Sequence, residues 1–225
     1  MDHSALAVLR RCWWRPGQNP DPDTAKLWHE VPELIQWPLD TPYPQIIQEV
    51  EATYRAVDDG LSQWGTRLVV DQSGPGRPVL DALRVKVREA NKHAPTRLMR
   101  PIGVTITGGE SVNVRDDGTL TCPKRDIASA LVVEVQAGAF KVAAALPHAA
   151  TLRDELATFG YKVNRRTQHL GYESLDAAVH DDLVLAAALG LWYSTQQLST
   201  RFPSAIAGGA TIEDMDYNPL ARGRV

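Results

Sequence analysis

Arg67-Leu68-Val69-Val70-Asp71-Gln72-Ser73-Gly74-Pro75-Gly76-Arg77-Pro78 is the stretch that decides the fold. Leu68, Val69 and Val70 make an unbroken apolar run that ends on a carboxylate. That is the pattern of a short parallel strand buried on both faces. The Gly- and Pro-rich turn after it opens a helix carrying Val79, Leu83 and Val87 at helical spacing. In open α/β sheets the crevice beyond the carboxyl ends of the strands is where ligands bind. Asp71 is therefore a candidate site residue, and the plainer alternative is that it initiates its own turn by accepting backbone amides.

Upstream, Ala5 to Leu9 reads as a strand and residues 15–23 as a long loop dense in Pro, Gly and Asn. A second strand spans about Leu27 to Trp37, with Pro32 marking a bulge or an edge. Thr41 to Pro44 turns into a helix with Ile46, Ile47, Val50 and Tyr54 on one face. Downstream, Leu98 to Thr107 is a strand closed by Gly108-Gly109, and Asp117-Gly118 is a hairpin signal. Lys124 to Gly138 is an amphipathic helix, Phe140 to Ala143 a strand and Ala149 to Phe159 a helix. Tyr161 to Asn164 is a strand followed by a polar loop reaching Tyr172. A last helix runs from about Asp176 to Gln197. Strands and helices alternate throughout, which predicts an α/β domain over residues 1–200 with a mixed sheet flanked by helices. Residues 201–225, with few large apolar side chains, predict a flexible C-terminal tail.

The chain has 225 residues, 44% hydrophobic and 23% charged, so one well-buried domain is expected. Its net charge of −3 excludes a global basic field; nucleic acid would have to meet a local patch or carboxylate-held cations. Cys12 and Cys122 match no zinc or redox spacing, and their scarcity with no signal peptide predicts a cytoplasmic protein. The longest apolar run, Leu183 to Tyr193, is too short to span a bilayer, so no membrane role is expected. The six tryptophans read as packing residues. No Gly-x-x-x-x-Gly-Lys-Ser/Thr phosphate loop occurs, which excludes an ATP-driven motor in this chain.

The second chemical feature is His180-Asp181-Asp182 ahead of Leu183-Val184-Leu185-Ala186-Ala187-Ala188-Leu189. A helix that is apolar almost all round belongs in the interior, and two carboxylates entering it need compensation. They either complement the helix dipole or hold a magnesium or manganese ion. A two-metal site activates water and stabilises the leaving oxygen in phosphodiester hydrolysis. His180 would shuttle protons or orient its neighbours.

Taken in order, Leu68-Val69-Val70-Asp71 with Gly74, Gly76 and Pro78, Val104-Thr105-Ile106-Thr107-Gly108-Gly109, Pro123-Lys124-Arg125-Asp126 and His180-Asp181-Asp182-Leu183 resemble the nuclease domain of phage terminase large subunits. The resemblance covers about Ser4 to Trp192. It implies a ribonuclease H-like fold and a metal-dependent endonuclease that cuts concatemeric double-stranded DNA during packaging. It implies two Mg2+ or Mn2+ ions held by three acidic positions. Asp71 matches the second of these and Asp181 or Asp182 the third. The first acid of the family ends a strand preceding the one matched by Ala5 to Leu9, so the first catalytic strand is expected to be missing here. That implies an upstream start, a split gene, or a decayed remnant, with activity impaired in this chain. Lys124, Arg125, Lys162, Arg165 and Arg166 are the candidate phosphate contacts. Implied partners are DNA, a separate terminase ATPase domain, the small terminase subunit and the portal, in a phage-infected or prophage-carrying bacterium. The alternative is a catalytically inactive DNA- or portal-binding domain of the same fold. A junction resolvase or transposase-type integrase is a further ribonuclease H-like reading.

Overall fold

The computed structural model describes residues 3–14, 26–61, 65–93, 98–163, 170–174 and 181–201. The order is β1 (Ala5–Trp14), β2 (Lys26–Gln36), α1 (Tyr43–Leu61), β3 (Val69–Asp71), α2 (Gly76–Ala90), β4 (Ile102–Thr107), β5 (Asn113–Val114) and β6 (Leu120–Pro123). It continues through α3 (Lys124–Gln136), β7 (Phe140–Val142), α4 (Ala149–Thr158), β8 (Phe159–Val163), β9 (Leu170–Ser174) and α5 (Asp182–Arg201). The architecture is mixed α/β, as the alternation predicts. The expected single sheet is instead three hydrogen-bonded units: β1-β2-β7, β3-β4-β6-β5 and the β8-β9 hairpin.

Pro32 falls inside β2, the central strand of its sheet. Val8 pairs with Glu33 and Arg10 with Glu30, so Leu9 faces both Val31 and Pro32: a bulge. On the other edge β7 pairs with His29 to Val31 and stops where Pro32 has no N–H to offer. In the second sheet β3, β4 and β6 run parallel, and the Asp117-Gly118 hairpin joins β5 to β6.

Three expectations need correction. The polar loop before Tyr172 contains β9, antiparallel to β8. Helix α5 begins at Asp182, not Asp176; residues 175–180 lie outside the described residues. The first strand runs on to Trp14 rather than stopping at Leu9. The expected tail beyond 201 also lies outside the described residues.

Two apolar clusters cover the sheets. One gathers α3 and α5 around Ile127, Leu131, Leu183, Leu191 and Trp192, with Leu152 of α4. The other gathers α1 and α2 around Ile46, Val50, Tyr54, Leu83 and Val87. The N–H of Val184 inside α5 donates to the Glu155 carboxylate of α4 at 2.9 Å, a side-chain cap supplied from 29 residues away. A triad of polar groups pins β2 to the helices. Buried His29 meets the Glu134 carboxylate of α3 through Nδ1 at 3.1 Å and the Ser194 hydroxyl of α5 through Nε2 at 3.0 Å. Burial holds the His29 imidazole below its ordinary range, against the pull of Glu134. Among the described residues, no helix is long and apolar enough to cross a membrane.

Candidate functional site

Asp71 ends β3, and its Oδ1 accepts the Ser73 N–H at 2.8 Å, closing the turn that leads into α2. The turn is tied to the next strand: Ser73 Oγ accepts from Ile106 N at 2.9 Å, and Gln72 Nε2 donates to Thr105 Oγ1 at 2.9 Å. The turn-initiating reading of Asp71 is thus realised, with Asp71 still facing the cavity described below. Gly76 is packed so closely that a Cβ there would stand 2.0 Å from the Asp71 carbonyl oxygen. Gly76→Ala is expected to displace that backbone and cost about 1–3 kcal/mol, read as a lower urea midpoint at unchanged m-value.

Asp181 and Asp182 sit at the start of α5. The Asp181 carbonyl accepts the Leu185 N–H at 2.8 Å, and its carboxylate lies 3.4 Å from the Lys124 ammonium. Asp182 Oδ2 accepts the His3 N–H at 3.2 Å. His3 Nδ1 lies 2.8 Å from the Trp37 carbonyl oxygen, so the entry to β1 is fixed against both β2 and α5. Asp71, Ser73, Lys124, Asp181, Asp182 and His3 all line one cavity of 1310 Å³.

Behind them lies a group that the sequence reading overlooked. Glu155 is 3% exposed. Burial pushes its carboxyl up to about 7, helped by the negative charges of Asp182 and Asp181 and opposed by the amides of Val184 and Leu183. Its signal was present: Leu152, Glu155 and Leu156 fall on one helical stripe, and a carboxyl on an apolar stripe marks a buried acid.

Arg125 does not line the cavity; its guanidinium donates to the Glu110 carbonyl at 2.9 Å and pairs with Asp126. Lys162 is placed only by its backbone, paired with Gly171, while Arg165, Arg166 and His180 lie outside the described residues. Neither cysteine is primed for attack. Burial drives the Cys122 thiol up to about 12, and burial with Glu30 nearby raises Cys12.

The carboxylates are hard oxygen donors of the kind Mg2+ and Mn2+ take. Their spacing does not close around an ion: among the described residues, no three His, Cys, Asp or Glu side chains converge closely enough to hold a metal. Asp71, Asp181 and Asp182 surround a shared cavity without forming a cage.

No protein-family model matches this chain, and no curated protein and no solved structure matches it either.

Proposed function

We propose that this chain is a DNA endonuclease domain of the phage terminase large-subunit type, with its chemistry at the Asp71/Asp181/Asp182 end of the cavity. The observation that carries the reading is that these carboxylates, about 110 residues apart in sequence, line one cavity together with Lys124. It supports the sequence resemblance, in which the same residues serve as ligands for Mg2+ or Mn2+. Three carboxylates repel a phosphodiester, so a DNA strand approaching them needs countercharge. Lys124 supplies one positive charge in place, already held by Asp181. Asp71 is anchored by its turn and Asp182 by the His3 amide, which fixes where these acids sit before a substrate arrives. In this reading Lys124 positions a backbone phosphate and contributes nothing to sequence preference. The implied setting is genome packaging in a phage-infected or prophage-carrying bacterium, with the ATPase domain, small subunit and portal as partners.

A second reading, a DNA- or portal-binding domain without catalysis, is favoured by the same contacts. Asp71 and Asp181 are engaged by Ser73 and Lys124, and the three acids do not converge.

Nicking of supercoiled plasmid in Mn2+ separates the two. The nuclease reading expects cutting that falls by at least the 10- to 100-fold known for loss of metal-site partners in Asp71→Ala and Asp182→Ala, with circular dichroism unchanged. A folded chain that retards DNA in a gel and never cuts it leaves the binding reading in its place.

A further inference from the structure

Three elements converge on one imidazole. His29 comes from β2, Glu134 from α3 and Ser194 from α5, the last two 105 and 165 positions away from His29. His29 Nδ1 lies 3.1 Å from Glu134 Oε2, and Nε2 lies 3.0 Å from Ser194 Oγ. A carboxylate only accepts, so Nδ1 carries the proton and Nε2 turns its lone pair to the Ser194 hydroxyl. Burial keeps the imidazole below its ordinary range; Glu134 opposes this and Arg11 adds to it. The ring is therefore neutral near pH 7 and able to take a proton.

The hydroxyl is aimed by the fold and not by its own helix. A helical serine commonly returns its O–H to a carbonyl one turn back. Thr195 does this, donating to the Trp192 carbonyl at 2.8 Å, whereas Ser194 meets His29. Gly190, one turn before Ser194, permits the approach: a Cβ there would stand 2.6 Å from Leu9 of β1, so the β1–β2 ribbon lies close on α5. A brace alone would not need this set, because apolar groups of the same shape can hold two elements together nearly as well. Exposure is graded as a nucleophile and its base require: His29 is buried and Ser194 partly exposed. Arg11 is the cross-strand partner of His29, so both side chains leave the ribbon on one face. Ser194, His29 and Arg11 line the cavity about 25 Å along β1 from His3, away from Asp71, Asp181 and Asp182.

We propose that Ser194 is an acyl-accepting nucleophile, with His29 as its general base and Glu134 holding the imidazole in place. Ser194 Oγ attacks the carbonyl carbon of a carboxylic ester, and its proton passes to His29 Nε2. The ester C–O bond then breaks, and the departing alcohol oxygen takes that proton from His29. Water repeats the sequence on the acyl-serine: it gives a proton to His29, forms the acid, and Ser194 recovers its hydroxyl. Arg11 supplies positive charge for the oxyanion formed in each half. Leu9, seated on the glycine one turn away, and Tyr193, the preceding residue, give the acyl group apolar neighbours. The substrate class is an ester with a short apolar acyl chain.

The test treats the full chain, in EDTA, with a fluorophosphonate probe and with p-nitrophenyl acetate. The folded chain is expected to take one equivalent of probe, mapped to Ser194 by peptide mass, and the urea-unfolded chain none. With the ester, one equivalent of nitrophenolate should appear as a burst, lost in Ser194→Ala. His29→Gln, with circular dichroism unchanged, should slow both reactions at least about 100-fold. Glu134→Gln should lower kcat and leave KM alone, with partial recovery in Glu134→Asp; it carries the comparison if His29→Gln does not fold. The proposal is overturned by any of three results: no labelling of Ser194 in the folded chain, labelling of another serine instead, or a Ser194 rate that the His29 and Glu134 substitutions leave unchanged. None of these readouts uses DNA or a metal ion, so the proposal and the nuclease reading fail separately.

Discussion

Trp192→Ala is expected to cost about 3–5 kcal/mol of folding stability, the range for removing a large aromatic from a core. Trp192 is 2% exposed and sits in the α5 face that closes over β1, beside Leu183, Leu191 and Leu152. Truncation leaves a hole that rigid neighbours on three elements cannot fill. Trp192→Phe should cost far less, below about 2 kcal/mol. The indole Nε1 has no hydrogen-bond partner among the described residues, so the smaller ring also removes a buried polar group that gains nothing from folding. Urea unfolding of the two variants side by side checks both values. Equal losses would show that the volume left empty does not set the cost there.

Glu155→Gln is expected to abolish a pH dependence of stability. The Glu155 carboxyl stands near 7 in the folded chain against an ordinary value of 4.5, chiefly through burial and then through Asp182 and Asp181. Between those values the folded state binds more protons than the unfolded one, so stability must fall as pH rises. The benefit of the neutral acid is complete below about 4.5 and gone once pH passes about 7, a loss of about 3 kcal/mol over the window. Glutamine keeps a carbonyl for the Val184 amide and has no charge to bury. The variant should match the wild type near pH 4.5 and exceed it near pH 8. Asp182→Asn should move the wild-type transition toward lower pH, because one of the two repelling charges is gone. Thermal unfolding at a series of pH values reads this directly. Parallel curves for wild type and Glu155→Gln would show that the carboxyl carries no such linkage.

The elements that were legible are those written in local pattern. The Leu68–Asp71 run, the glycine turn and the Val79/Leu83/Val87 stripe are each a property of neighbouring residues, and β3 and α2 appear where these predict. The start of α5 was misplaced because its cap comes from Glu155, on another helix, and no local pattern shows that. β9 escaped notice because Leu170-Gly171-Tyr172-Glu173-Ser174 is short and carries a glycine; it is a strand through pairing with β8. The separation of the layer into two sheets depends on which edges meet, a relation between residues far apart. At the site, Asp71 and the two acids of α5 were named from local features and from resemblance. Their common cavity is a fact of the fold alone. Their engagement by Ser73, Lys124 and His3 is equally non-local or conformational.

The contact between β1 and α5 also sets a clock. The His3 amide reaches Asp182 across 179 positions, and Gly190 leaves room for Leu9, which a Cβ would meet at 2.6 Å. At about 5–20 residues per second, a ribosome that has just released β1 delivers α5 about 10–40 s later. Throughout that interval the apolar face of the β1–β2 ribbon has no lid, and its strands are open to pairing with neighbouring nascent chains on the same polysome. Slower translation prolongs the exposure. Yield of folded protein should therefore depend on elongation rate more than on the stability of the finished domain.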